Sequence, residues 1–216
     1  MSQPDPATAA AFLYADAGPL VRALSWGRPY ICPFGPLLPW VPHGATVFDI
    51  GCGTGLWLLT LAVTGRITGG VGCDLNNAAI AVACLAAKRL PAGSPPSGLA
   101  FRATASAEDW PQEAFDVVSL IDVLHHIPRA AQPSFLRSAW FKVRPGGHLI
   151  YKDMADRPWL FAAANALHDL VLARQVIRYL PIEEAEAVLR AEGARVLQRS
   201  AWRRAYYAHE LLVVQR

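Results

Sequence analysis

The stretch Val47-Phe48-Asp49-Ile50-Gly51-Cys52-Gly53-Thr54-Gly55 constrains this chain more than any other. An apolar run meets an acid, a glycine-spaced turn follows, and an apolar segment opens at Leu56. That order reads as a buried strand, a tight loop and a helix start. Glycines at 51, 53 and 55 let the backbone take positive φ and let a ligand approach the main chain. The N–H groups opening the next helix then face that ligand. The dinucleotide fingerprint G-x-G-x-x-G needs glycine at its sixth position. Counted from Gly51, that position here is Leu56, so the register disfavours NAD.

The rest of the chain repeats the alternation. Strands are expected at Thr46–Asp49, Thr68–Asp74, Leu99–Ala103, Phe115–Ile121 and His148–Lys152. Glycines at 69, 70 and 72 should weaken the second of them locally. Helices are expected at Gly55–Thr64, Asn76–Leu90 (capped by Asn76 or Asn77), Arg129–Val143, Pro158–Tyr179 and Ile182–Gly193. The stretch 144–147, Arg-Pro-Gly-Gly, reads as a helix stop. Strands over Arg195–Ala201 and Ala205–Val214 close the chain, with Arg203-Arg204 in the turn between them. Ahead of this core, Ala7–Leu24 has helical composition broken near Gly18-Pro19. Residues 26–36 carry too much Pro and Gly for regular structure. The expected fold is α/β: a doubly wound, mostly parallel seven-stranded sheet with a C-terminal antiparallel hairpin and helices on both faces.

Composition bounds the class. Of 216 residues, 53% are apolar and 17% charged, so the chain is not disordered and one domain is the default. No apolar run reaches the roughly 18 residues a membrane span needs, and no secretory signal is apparent. Cys32, Cys52, Cys73 and Cys84 form no C-x-x-C pair, which speaks against structural zinc, and no metal is called for. Cys52 and Cys73 are expected at strand ends as buried free thiols of a reducing, cytoplasmic setting. Residues 1–128 hold 6 Lys/Arg against 9 Asp/Glu, and 129–216 hold 14 against 8. That basic half lacks the dense stripe and module of a nucleic-acid binder.

Together these motifs resemble the class I S-adenosylmethionine (SAM)-dependent methyltransferases over roughly residues 45–155. Asp49 with Gly51, Cys52, Gly53 and Gly55 matches the family's first motif, which holds the methionine end of SAM. Gly72-Cys73-Asp74 resembles the second motif, implying that Asp74 bonds the ribose hydroxyls and that Leu75 lies beside it. Ser106-Ala107-Glu108 stands where the family often has Asp-Ala-Glu at the adenine amino group; Ser106 departs from that pattern, and Ala107 would offer its backbone N–H. Ile121-Asp122 ends the fourth strand at the topological switch point of such sheets, beside SAM or substrate. The segment 143–150 resembles the family's L-x-P-G-G-x-L-x-I turn.

Leu124-His125-His126 resembles a family pattern, and the Leu-His-Asp stretch of plant O-methyltransferases in which the histidine is a general base. His125 is thus the candidate base, against a structural alternative in which it caps or packs. Asp153, at the end of the fifth strand, either meets substrate or makes a salt bridge or N-cap. The stretch Ile121-Asp122-Val123-Leu124 replaces the N-P-P-Y of DNA adenine and glutamine methyltransferases.

The reading at this point is one domain, 1–216, with an N-terminal helical and aromatic cap over 1–44 and a substrate-covering helical insertion over 156–180. It would move a methyl group from SAM, leaving S-adenosylhomocysteine, to a small apolar or aromatic acceptor. The alternatives are a non-catalytic SAM-binding scaffold or a nucleic-acid or protein methyltransferase. Neither acceptor atom nor oligomeric state is legible.

Overall fold

The computed structural model describes residues 6–91, 98–154, 178–204 and 207–216. Its strands form one seven-stranded sheet in the order β3-β2-β1-β4-β5-β7-β6. The strands are β1 (Ala45–Ile50), β2 (Ile67–Asp74), β3 (Leu99–Ala103), β4 (Phe115–Ile121), β5 (Val143–Met154), β6 (Arg195–Arg204) and β7 (Tyr207–Gln215). The helices are α1 (Pro6–Leu13), α2 (Pro19–Ile31), α3 (Leu56–Val63), α4 (Asn77–Ala87), α5 (Gln132–Trp140) and α6 (Ile182–Ala191). The chain divides into two compact units, Met1–Val117 and Val118–Arg216.

In the first unit β1 runs parallel to β2, and β2 parallel to β3. β1 is a near-continuous buried run, as a strand covered on both faces requires. Phe48 stacks on Phe115 with ring centroids 5.3 Å apart and meets Trp110 edge-on at 5.6 Å. α3 is apolar all round and buried from Leu56 to Ala62. β2 runs for eight residues, and its register against β1 shifts between Ile67 and Gly69, at the first of the strand's glycines. Gly70 and Gly72 make room. A Cβ on Gly70 would stand 2.8 Å from Leu58, and one on Gly72 would stand 2.7 Å from the Phe101 ring. The absent side chains let α3 and the Phe101 ring settle onto the strand.

Two local expectations in this unit fail. Residues 26–31 are helical, part of α2, with Pro29 inside the helix. Pro29 has no N–H to donate to the carbonyl four residues back, and the helix ends two residues beyond it. The aromatic spacing also suits a helix, since Trp26 and Tyr30 pair at i, i+4 with centroids 5.2 Å apart. Cys52 lies past the end of β1 in the loop and is half-buried, while Cys73 is buried in β2; both are free thiols.

In the second unit β5 pairs antiparallel with β7, and β7 with β6. α5 packs against α6. β5 is longer than expected: it begins at Val143 and takes in the Pro-Gly-Gly stretch. The C-terminal residue makes this possible. Gly146 N–H donates to the Arg216 carbonyl at 2.7 Å, and Arg216 N–H donates to the Gly147 carbonyl at 3.1 Å. Arg203 and Arg204 lie in β6, paired with Ala208 and Tyr207, and not in a turn as expected. α6 ends as expected: Gly193 has φ +85, and Ala194 N–H returns to the Leu189 carbonyl at 3.0 Å. The helix expected over Pro158–Tyr179 falls almost wholly outside the described residues.

Candidate functional site

The first cluster is built by the loop from Gly51 to Gly55. Gly51 and Cys52 N–H groups both donate to the Cys73 carbonyl, at 2.8 and 2.9 Å, which binds the end of β1 to the end of β2. Asp74 then braces the loop. One carboxylate oxygen accepts from Gly53 N–H and the other from Asn76 N–H, each at 2.8 Å. Asn76 caps α4, its side chain accepting from Ala78 and Ala79 N–H at 3.0 and 3.2 Å. Gly51, Gly53 and Gly55 all have positive φ, at +72, +55 and +81.

The second and third loop glycines serve different ends. A Cβ on Gly55 would strike the Phe101 ring at 2.7 Å and Ala83 at 3.0 Å. A Cβ on Gly53 would meet nothing within 4 Å, so the chain leaves space beside that backbone. Tyr14, buried on the turn after α1, donates its hydroxyl to the Thr54 carbonyl at 2.7 Å. Burial pushes the Tyr14 hydroxyl pKa well above the ordinary range, so Tyr14 stays a donor.

Charge around this loop is negative. Asp49 is buried and Asp74 half-buried. The Cys52 thiol is pushed far up, by burial first and then by the charges of Asp49 and Asp74. Cys73 is raised to about 11, again by burial first. Of these causes burial opposes any charge, whereas the Asp49 and Asp74 carboxylates favour a cation. Leu75, next to Asp74, is 70% exposed and offers apolar surface for a flat ring. A cation, sugar hydroxyls and a flat base all suit this donor set, whereas a pyrophosphate would face two carboxylates. These features fit SAM. Ser106 is engaged locally: its hydroxyl accepts from Glu108 N–H at 3.3 Å, and Asp109 accepts from Ala105 and Ser106 N–H, each at 3.1 Å. That capping box sets the single turn on which Ala107 lies.

The second cluster lies in the other unit. Beyond Ile121, the last residue of β4, Asp122 adopts φ +56, which aspartate tolerates better than most residues. Its N–H donates to the Lys152 carbonyl at 2.9 Å, and its carboxylate pairs with Lys152 Nζ at 2.5 Å. Lys152 is fully buried in β5, and a buried ammonium needs such a partner. A single turn at Leu124–His126 follows. Gln132, also fully buried, holds it. Its Nε2 donates to the carbonyls of Leu124, Ile127 and Arg178 at 3.0, 3.1 and 2.6 Å.

That turn delivers His125 to Asp153. His125 Nδ1 bonds an Asp153 carboxylate oxygen, and His125 N–H donates to the other oxygen at 3.3 Å. Met154 N–H also donates to Asp153, at 2.8 Å. Both side chains are buried. An Asp on Nδ1 fixes the ring's tautomer and orientation. Nearby, burial raises Tyr151 well above its ordinary pKa, and the charges of Asp153, Glu210 and Asp122 reinforce this.

Sequence reasoning named Asp122, His125 and Asp153 separately; the structure joins His125 to Asp153 across 28 positions. It missed the structural roles of Tyr14, Gln132 and Lys152. Only Lys152 left a signal, as a cation directly after the apolar run Leu149-Ile150-Tyr151. Among the described residues no group of three or more His, Cys, Asp or Glu is placed to hold a metal, and no helix is long and apolar enough to cross a membrane.

Comparison with known proteins gives a consistent picture. A family model described as a methyltransferase domain matches residues 26–199. The ubiquinone biosynthesis O-methyltransferase of Pseudomonas putida is 30% identical over 138 residues, covering 64% of this chain and 54% of that protein. The chain thus spans about half the length of the curated relatives it matches. Among solved structures, a SAM-dependent methyltransferase from Methanosarcina mazei aligns with a TM-score of 0.67 at 18% identity, covering 84% of this chain and 97% of that one. Magnesium protoporphyrin IX methyltransferase from Synechocystis, solved with bound S-adenosylhomocysteine, gives 0.68 at 17% identity, covering 94% and 91%.

Proposed function

This chain belongs to the class I SAM-dependent methyltransferases, and from that premise we propose that it methylates a hydroxyl of a small, apolar or aromatic acceptor, with His125 as general base. The observation that carries the acceptor chemistry is the buried His125–Asp153 pair. The name of its relatives, O-methyltransferases of ubiquinone biosynthesis, supports an oxygen acceptor of that kind. The resemblance of the Leu-His-His stretch to plant O-methyltransferases supports the same role for His125.

When bound, SAM supplies a methyl group on a sulfonium centre. In this proposal Asp49, Gly51, Cys52, Gly53 and Gly55 hold its methionine end and Asp74 its ribose. Leu75, Ser106, Ala107, Ile121 and Asp122 complete its surroundings. Asp153 holds His125 through Nδ1, so His125 takes the acceptor's hydroxyl proton at Nε2. The acceptor oxygen then carries the charge that makes it a nucleophile, and the Asp153 carboxylate stabilises the imidazolium. We read residues 1–216 as one methyltransferase domain, with 1–44 as an N-terminal cap and 156–180 as the acceptor-covering segment.

The test is methyl transfer from methyl-labelled SAM to a panel of phenolic and lipid-like hydroxyl compounds, for wild type and His125→Gln. The expected loss is roughly 10²–10⁴-fold in turnover, with SAM affinity near wild type and the acid limb of the pH profile flattened. Turnover within about threefold of wild type, with the acid limb kept, would assign His125 to packing and leave alignment alone to drive transfer.

A further inference from the structure

α2 turns its apolar side outward. Leu20, Leu24, Trp26, Tyr30 and Ile31 are 72%, 61%, 52%, 48% and 36% exposed, whereas Ser25 is 4% exposed. At about 100° per residue, Leu20, Leu24 and Ile31 fall within about 40° of one another. Trp26 and Tyr30 occupy the adjoining sector, and Ser25 lies on the opposite one. Scattered exposed leucines are ordinary, but a contiguous arc of five large apolar groups marks an interaction surface.

The charges beside that arc identify what it meets. Arg22 and Arg28 are exposed and lie on its two edges in the same helical projection. No Asp or Glu occurs between Asp16 and Asp49. An isologous second copy would bring arginine rims together, and α2 itself carries no acid to pair them. An anionic lipid surface matches the pattern at every point: leucine and isoleucine for the acyl boundary, Trp and Tyr for the headgroup level, and arginine for the lipid phosphates. Phe12, 47% exposed on the neighbouring α1, adds to the apolar surface under the Arg89 guanidinium, which lies 5.2 Å from its ring centre.

We propose that α2 docks this protein onto anionic membrane surfaces, lying in the interface plane with Leu20, Leu24 and Ile31 inserted. The inference rests on α2 alone and stands or falls apart from the role of His125.

The full chain is sedimented with vesicles of phosphatidylcholine containing 30 mol% phosphatidylglycerol, as about a third of the lipid, and with pure phosphatidylcholine vesicles. Binding is expected to the anionic vesicles and to fall as salt rises. Leu20→Ser with Leu24→Ser, and separately Arg22→Gln with Arg28→Gln, should each weaken it roughly tenfold or more. SAM affinity should stay unchanged in both, and it doubles as the check that each variant is folded. The arginine pair keeps the question decidable if the leucine pair disturbs folding. Absence of wild-type binding at low salt would overturn the proposal. So would equal binding by both variant pairs. A concentration-dependent dimer in analytical ultracentrifugation, lost in the leucine variant and without vesicle binding, would assign the face to a second copy instead.

Discussion

Replacing Gly53 and Gly55 by alanine, one at a time, separates folding from cofactor binding. Both glycines have positive φ, +55 and +81, so a Cβ costs roughly 1–2 kcal/mol at either. Their surroundings differ. At Gly55 the new Cβ would stand 2.7 and 2.8 Å from two ring carbons of Phe101 and 3.0 Å from the Ala83 Cβ. Phe101 and α4 must then give way, which adds roughly 1–3 kcal/mol of overpacking. The total, roughly 2–5 kcal/mol, is a large part of the 5–15 kcal/mol that holds a domain together. At roughly 2–4 °C per kcal/mol for a chain of this size, Tm should fall by about 4–20 °C.

At Gly53 the Cβ meets nothing within 4 Å, so the backbone term stands alone and Tm should fall by only a few degrees. The same open space is the seat proposed for SAM, and a methyl group there should weaken SAM binding by roughly tenfold or more, about 1.4 kcal/mol. Calorimetric melting and isothermal titration with SAM read the two effects. A Gly55→Ala protein melting within about a degree of wild type would refute the packing argument. A Gly53→Ala protein binding SAM as tightly as wild type would remove that space from the cofactor site.

Three further outcomes follow from the geometry. Tyr14→Phe deletes a buried donor to the Thr54 carbonyl, and should cost about 1–3 kcal/mol in urea unfolding and weaken SAM binding a few-fold, since the loop loses its brace. Lys152→Met takes the ammonium from Asp122 and should destabilise by about 3–5 kcal/mol; adding Asp122→Asn should recover a good part of that, and a double variant no more stable than the single would refute the pairing. Cys73, ordinarily at 9.0, is raised to about 11 by burial, so its neutral form contributes stability that is complete below pH 9 and lost as pH climbs through 11. That is up to roughly 3 kcal/mol, and Cys73→Ala should flatten this part of the alkaline unfolding profile.

Local chemistry was legible in the chain itself. β4 was readable from Phe115 to Ile121 because a strand covered on both faces is one apolar run, and no partner is needed to recognise it. The loop after Asp49 was readable because positive φ calls for glycine wherever the loop is placed. The cap at Asn76 and the stop at Gly193 are bonds between near neighbours, so residue type and spacing suffice. Hence the sheet, its alternation with helices and the SAM motif could all be read in advance.

What the tertiary structure alone decided depends on residues far apart in sequence. The Pro-Gly-Gly stretch is strand rather than turn because the Arg216 backbone supplies its hydrogen bonds from 70 positions away. Gly70 and Gly72 of β2 are close contacts because Leu58 and Phe101 fill the space their side chains would take. His125 and Asp153 were visible as two separate polar residues; burial and a shared hydrogen bond make them one pair. α2 carries the same pattern whichever way it faces, and the packing of Ser25 inward is what turns Leu20, Leu24 and Ile31 toward solvent. Periodicity and turn chemistry act within a few residues. Pairing of buried charges and the orientation of a helix on its core are set by the free energy of the whole packed chain.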